Sequence, residues 1–238
     1  MKCTYDNLAT DKYVEGIVTP FLSETLDIAH IDGLKAPYVM ATNIVNYSQW
    51  QNNSFDFIAN MVAKFEKYIP SLFYCTVGDF KESHNPPMNV YTISLDEAIM
   101  DYDISFNLIK ELLPLIVSLS NHRLTDHADV FPNKDGGMKG IETVKEFYEL
   151  PDGLKIDKLQ DYPEIVNFLA GGFNTKIRNG IGHRRCSLVD DTQNVQFYYK
   201  QNNLEEHYDV QLVDLCYLTI INLLHIMEFV LLIEKLKR

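Results

Sequence analysis

The run LCYLTIINLLHIMEFVLLI, residues 215–233, decides how the rest of the chain is read. A nearly continuous apolar run of this length can cross a bilayer. Asn222, His225 and Glu228 interrupt it, however, and Asp214 stands at its edge. Such groups are costly in hydrocarbon, where no water pairs with them. The run therefore reads as a long helix packed in a protein core or between two copies of the chain, with no membrane partner. Lys235, Lys237 and Arg238 follow it and suit the negative end of a helix dipole.

Upstream of this helix the periodicity changes. Val195, Phe197 and Tyr199 alternate with Gln196 and Tyr198, Gln201-Asn202-Asn203 makes a turn, and Leu204 to Val210 returns. This is the signature of a small β-hairpin. Before it, Pro163 opens a helix as an N1-type proline, and Ile165, Leu169, Phe173 and Ile177 form the apolar stripe. Gly180 and Gly182 are expected to end or distort that helix just before His183. Ile141 to Leu150 is a short helix, and polar, Gly-rich Asn121 to Gly140 reads as a long loop.

Ser94-Leu95-Asp96-Glu97 is a capping box that opens a helix with Tyr102, Phe106, Ile109, Leu113 and Ile116 on one face. Pro114 should kink or divide it. From Asn53, Ile58, Met61, Val62, Phe65 and Ile69 follow helix spacing, with Ser54 as cap and Pro70 as stop. Residues 1–50 mix short apolar runs with Pro20, Gly33 and Pro37 and read as an N-terminal extension of no clear periodicity. The expected architecture is an all-α helical bundle over residues 51–238, with a small β-hairpin inserted before the C-terminal helix.

Composition narrows the function classes. Of the 238 residues, 46% are hydrophobic and 23% charged, so a sizeable core can form and disorder is not indicated. A formal net charge of -12 argues against a broad, sequence-independent grip on nucleic acid. It leaves room for one small cationic site, because a local field can oppose the net charge. Cys3, Cys75, Cys186 and Cys216 are widely spaced and form no Cys-x-x-Cys pair. They read as free thiols of a reducing cytoplasm, and the N-terminus lacks the apolar core of a signal peptide. No phosphate loop, dinucleotide fingerprint or zinc-protease motif occurs, so no cofactor is expected. His122, Asp126 and His127 do not form a ligand set at characteristic spacing and read as loop surface, so no metal is expected either.

The cationic site has one clear candidate. Lys176, Arg178, Arg184 and Arg185 form a basic island around His183. The RNA backbone carries its own nucleophile, the ribose 2'-hydroxyl. Cleavage needs that proton removed, charge at phosphorus stabilised, and the leaving 5'-oxygen protonated. Histidine suits the proton transfers because its unperturbed pKa lies near neutrality. Arginine suits the charge because its planar fork stays protonated and holds two phosphate oxygens. Positions five apart on a regular helix point in different directions, so Arg178 and His183 share a site only if the glycines break the helix or a second copy completes it.

Arg178-Asn179-Gly180-Ile181-Gly182-His183 resembles the Arg-Asn-x-x-x-His signature of the HEPN superfamily (higher eukaryotes and prokaryotes nucleotide-binding). The resemblance implies a motif near a helix end in an α-helical bundle, a homodimer, and a metal-independent endoribonuclease site built from two motifs. It implies Arg178 and His183 as catalytic residues, with Asn179 as the accompanying polar residue. Lys176, Arg184 and Arg185 would then position the RNA substrate's backbone. Many members act in toxin–antitoxin and antiviral systems, which adds an antitoxin or regulatory protein as a partner. Others serve as non-catalytic nucleotide-binding or dimerisation modules, the alternative for this chain. Where members paired with nucleotidyltransferase antitoxins often carry a tyrosine, two residues past the histidine, this chain has Arg185. Tyr198 and Tyr199 are available either to stack bases or to pack the hairpin on the bundle.

Overall fold

The computed structural model describes residues 31–76, 89–129, 131, 143–159, 165, 172–189, 193–201 and 204–237. These are mostly helical, with a three-stranded antiparallel sheet before the C-terminal helix. The helices are α1 (Ile31–Thr42), α2 (Tyr47–Ala63), α3 (Ile69–Thr76), α4 (Leu95–Thr125), α5 (Val144–Glu149), α6 (Asp152–Leu159), α7 (Thr175–Gly182) and α8 (Leu212–Leu236). A 3-10 turn, Phe65–Lys67, joins α2 to α3. The strands β1 (Cys186–Val189), β2 (Asn194–Gln201) and β3 (Leu204–Gln211) form a meander in the order β1-β2-β3.

Several boundaries differ from expectation, each for a local reason. Ser54 does not cap a helix; it is fully buried inside α2, which starts at Tyr47 and runs without a break through residue 50. Pro70 is not a stop but occupies the first turn of α3, where its missing N–H has no intrahelical partner to lose. Ser94 does cap α4, accepting from the Glu97 N–H at 3.2 Å. Pro114 does not divide α4. Leu112, Leu113, Leu115, Ile116 and Val117 around it are essentially inaccessible, so packing holds the helix through the lost hydrogen bond. The segment after Asn121 begins as helix rather than loop, to Thr125, and Asp126 ends it with a left-handed backbone at φ 60°. The short helix within 141–150 is present as α5, capped by Thr143. Most of the helix expected from Pro163 lies outside the described residues.

The chain forms two compact units, each discontinuous in sequence. The first takes residues up to Ser54, Ile109–Gly171 and Met227 onward. Its core includes Trp50, Ile116, Phe147 and Phe229. Gln51 donates to Glu234 at 2.7 Å, joining α2 to the end of α8. Glu228 lies in this unit with one carboxylate oxygen buried and without a hydrogen-bond partner among the described residues, and burial pushes its carboxyl up to about 8.

The second unit takes Phe55–Leu108 and Gly172–Ile226. Asp101 is completely buried and held by Lys64 at 2.6 Å and the Tyr68 hydroxyl at 2.5 Å. Two donors satisfy the charge that burial would otherwise disfavour. The sheet belongs here. β2 pairs with β3 over Asn194↔Gln211 to Gln201↔Leu204, and with β1 over Cys186↔Phe197 to Val189↔Asn194. The expected hairpin thus gains a third strand. Val195, Phe197 and Val210 point to the buried face, as period-two alternation requires.

Candidate functional site

Helix α7 carries the Arg-Asn-Gly-Ile-Gly-His run, and its N-terminus is firmly anchored. Asn174 caps it, accepting from the N–H groups of Lys176 and Ile177 at 2.9 and 3.4 Å. The stripe read from Ile165 to Ile177 is therefore not one helix: Phe173 and Asn174 precede a new start. The Tyr102 hydroxyl donates to Gly172 O at 2.9 Å and accepts from Asn174 N at 3.1 Å. Asn222 Nδ2 donates to the same Gly172 carbonyl at 3.2 Å and to Ser105 Oγ at 3.0 Å. A Cβ on Gly172 would fall 1.8 Å from Asn222 Oδ1, so glycine serves close packing here rather than a phosphate loop. Phe173 stacks on Phe106 with ring centroids 4.1 Å apart.

The two motif glycines do not break the helix. α7 continues to Gly182, and His183 is its C-cap. Gly180 is needed for contact with the sheet: a Cβ there would lie 2.7 Å from Phe197 Cβ and 3.0 Å from Phe197 Cα. Gly182 clears space for Arg178, whose Nη1 lies 2.8 Å from where a Cβ would be. The guanidinium therefore folds over the last turn, toward the negative end of the helix dipole. It reaches the turn from which His183 emerges.

The termination itself falls on Arg184, in the left-handed region at φ 53°. Arg184 N donates to Ile181 O at 2.9 Å and Arg185 N donates to Gly180 O at 2.8 Å. This pairing closes many helices, with glycine usually in the left-handed position. Arginine there costs about 1 kcal/mol.

Comparison with known proteins yields no match to a family model, to a curated protein or to a solved structure.

The basic island separates into free and engaged cations. Arg178 is half-buried, its Nε is shielded from solvent, and this atom has no hydrogen-bond partner among the described residues. His183 is exposed, and Asn179 is half-buried. Arg184 is exposed, whereas Arg185 pairs with Glu205 at 3.1 Å across the sheet. Lys176 is exposed, and its Nζ lies 5.4 Å from the centre of the Tyr199 ring and 5.6 Å from that of Tyr208. The Tyr199 hydroxyl is 3.0 Å from Glu206 Oε2. Tyr198 projects from the opposite sheet face, beside a shallow recess lined also by Arg184, Arg185, Cys186 and Glu205. Its partial exposure follows from strand alternation; strand β1, which borders the recess, was not foreseen.

His122 lies within α4 and Asp126 just beyond its end, and among the described residues no group of three or more His, Cys, Asp or Glu side chains could hold a metal ion. His225 is completely buried in α8.

Proposed function

We propose that the chain is a metal-independent endoribonuclease of HEPN type, with toxin or antiviral-defence activity, whose site is completed by a second copy. The observation that carries this reading is Arg178. Its guanidinium is lodged on the last turn of α7 with Nη1 beside exposed Gly182, in a protein of net charge -12, and a cation so placed is suited to an anion supplied by a ligand. His183 at the cap of the same turn is solvent-facing and able to exchange protons.

Cleavage then proceeds by in-line transfer. His183 removes the 2'-hydroxyl proton, and the 2'-oxygen bonds to phosphorus as the bond to the 5'-oxygen breaks. The leaving oxygen takes a proton from a histidinium, which the corresponding His183 of the second copy supplies. Arg178 holds the non-bridging oxygens as their charge grows, the interaction that lowers the barrier. Asn179 fixes the phosphate, and Arg184 steers the strand. The products are a 2',3'-cyclic phosphate and a 5'-hydroxyl. An antitoxin or regulatory partner and a cytoplasmic location accompany the reading; the free thiols of Cys75, Cys186 and Cys216 suit a reducing compartment.

Mass spectrometry of RNA incubated with the protein in EDTA tests the mechanism. Cyclic phosphate ends are expected, and a 2'-deoxy substitution at the cut position should block the cut. Unimpeded cleavage of the deoxy-substituted strand would exclude attack by the 2'-oxygen.

A further inference from the structure

Beside His183 the chain passes through Arg184 and Arg185 into β1, and the recess against Tyr198 opens there. Three features define it. Tyr198 N donates to Arg185 O at 2.8 Å, which fixes the ring's strand against the basic segment. The ring sits 6.1 Å from that of His207, and its hydroxyl lies 2.7 Å from Gln196 Oε1, so its orientation is set where Tyr198 lines the recess. Glu205 lies within the recess, paired with Arg185 through Oε1.

We infer that this recess binds an unpaired guanine base of the RNA, stacked on Tyr198 and read by the carboxylate of Glu205. An aromatic face accepts any base, so stacking supplies affinity without sequence preference. The carboxylate supplies the preference. It only accepts hydrogen bonds, and guanine alone presents two adjacent N–H donors, N1 and N2, on its pairing edge. Adenine and cytosine offer a single amino group there, and uracil one imide N–H. A bare carboxylate would repel the RNA backbone, but Arg185 neutralises it and Arg184, adjacent to His183, meets the flanking phosphate. The pairing edge must be unpaired to reach Glu205, so the substrate is single-stranded or looped. Cys186 does not disturb the site: burial, and secondarily the charge of Asp96, pushes its thiol above the usual range, and it stays neutral.

This inference rests on the nuclease reading for RNA as the ligand, but binding tests it apart from cleavage. Fluorescence anisotropy would follow full-length His183→Ala protein with oligouridylate carrying a single central guanine, adenine or no purine. The guanine strand should bind most tightly. Adding Tyr198→Ala should weaken it about 5- to 150-fold. Tyr198→Phe should retain affinity, and Glu205→Gln should shrink the guanine preference. Equal binding of all three strands, no binding, or full affinity in a folded Tyr198→Ala protein would overturn the subsite. If wild-type protein cleaves no RNA yet guanine binding depends on Tyr198, the nuclease reading fails and the subsite stands. If cleavage is intact and unchanged in Tyr198→Ala, the nuclease reading stands and the subsite fails.

Discussion

Replacing Gly182 with alanine separates the role of this motif glycine in the proposed catalysis from its role in folding. The added Cβ would meet Arg178 Nη1 at 2.8 Å, whereas ordinary contact begins near 3.4 Å. The obstructing atom is the far end of a flexible side chain, so the guanidinium retreats by roughly 0.6 Å or more and the backbone stays. Alanine gains at most about 0.5–1 kcal/mol of helix stability over glycine, and a displaced arginine rotamer costs about 0.5–1.5 kcal/mol. The two nearly cancel, and the melting temperature should stay within about 4 °C of the parent. Catalysis has no such compensation. Misplacing a charge-stabilising group by about 1 Å costs about a hundredfold, so this smaller displacement should lower kcat/KM about 10- to 100-fold. Circular-dichroism melting and a fluorogenic RNA substrate measure the two effects on one preparation. Full activity at unchanged stability would refute the placement of Arg178 over Gly182 as a functional feature.

Gly180→Ala should behave differently, because its Cβ meets Phe197 near the strand backbone. Overpacking of about 1–3 kcal/mol outweighs a helix gain of about 1 kcal/mol, so a chemical-denaturation midpoint should fall. Arg184→Gly should stabilise the fold by about 1 kcal/mol by relieving the left-handed arginine; its KM for RNA should nevertheless rise as a backbone contact is lost, and a lower melting temperature would contradict this. Glu228 supplies a pH signature. Its folded-state carboxyl lies near 8 against 4.5 for an unperturbed group, so the native state holds a proton that the unfolded chain has released. That stability is full below about 4.5 and is lost as pH rises toward 8, by at most a few kcal/mol. Glu228→Gln should accordingly raise the melting temperature more at pH 8.5 than at pH 5; an equal effect at both would remove the linkage.

Much of this fold was legible because strong local signals coincide with packing. The capping box at Ser94, the alternation from Val195 to Tyr199 and the apolar run of α8 each correspond to an observed element. The errors share one physical cause: tertiary contacts reassign residues whose local chemistry is ambiguous. Ser54 resembles a cap yet is buried within α2, and Pro70 resembles a stop yet begins α3. β1 is short and largely exposed, with no alternating apolar pattern to announce it. At the candidate site, the residue types of Arg178 and His183 could be picked out, but their arrangement could not. The glycines looked like helix breakers because intrinsic propensity is all that sequence reveals. Their uses depend on Phe197 and on the folded-back Arg178. The contacts of Lys176 with Tyr199 and Tyr208, and of Arg185 with Glu205, likewise depend on strand register.

The most direct test of the Arg178–His183 site is a comparison of RNA cleavage in EDTA by wild-type, Arg178→Ala and His183→Ala proteins, each purified to homogeneity and verified as folded. His183 is exposed, so alanine there should leave the fold intact while abolishing cleavage. Arg178→Ala should lower kcat by about 10²- to 10³-fold. Cleavage by folded His183→Ala protein at the wild-type rate would contradict the assignment of this turn as the catalytic site.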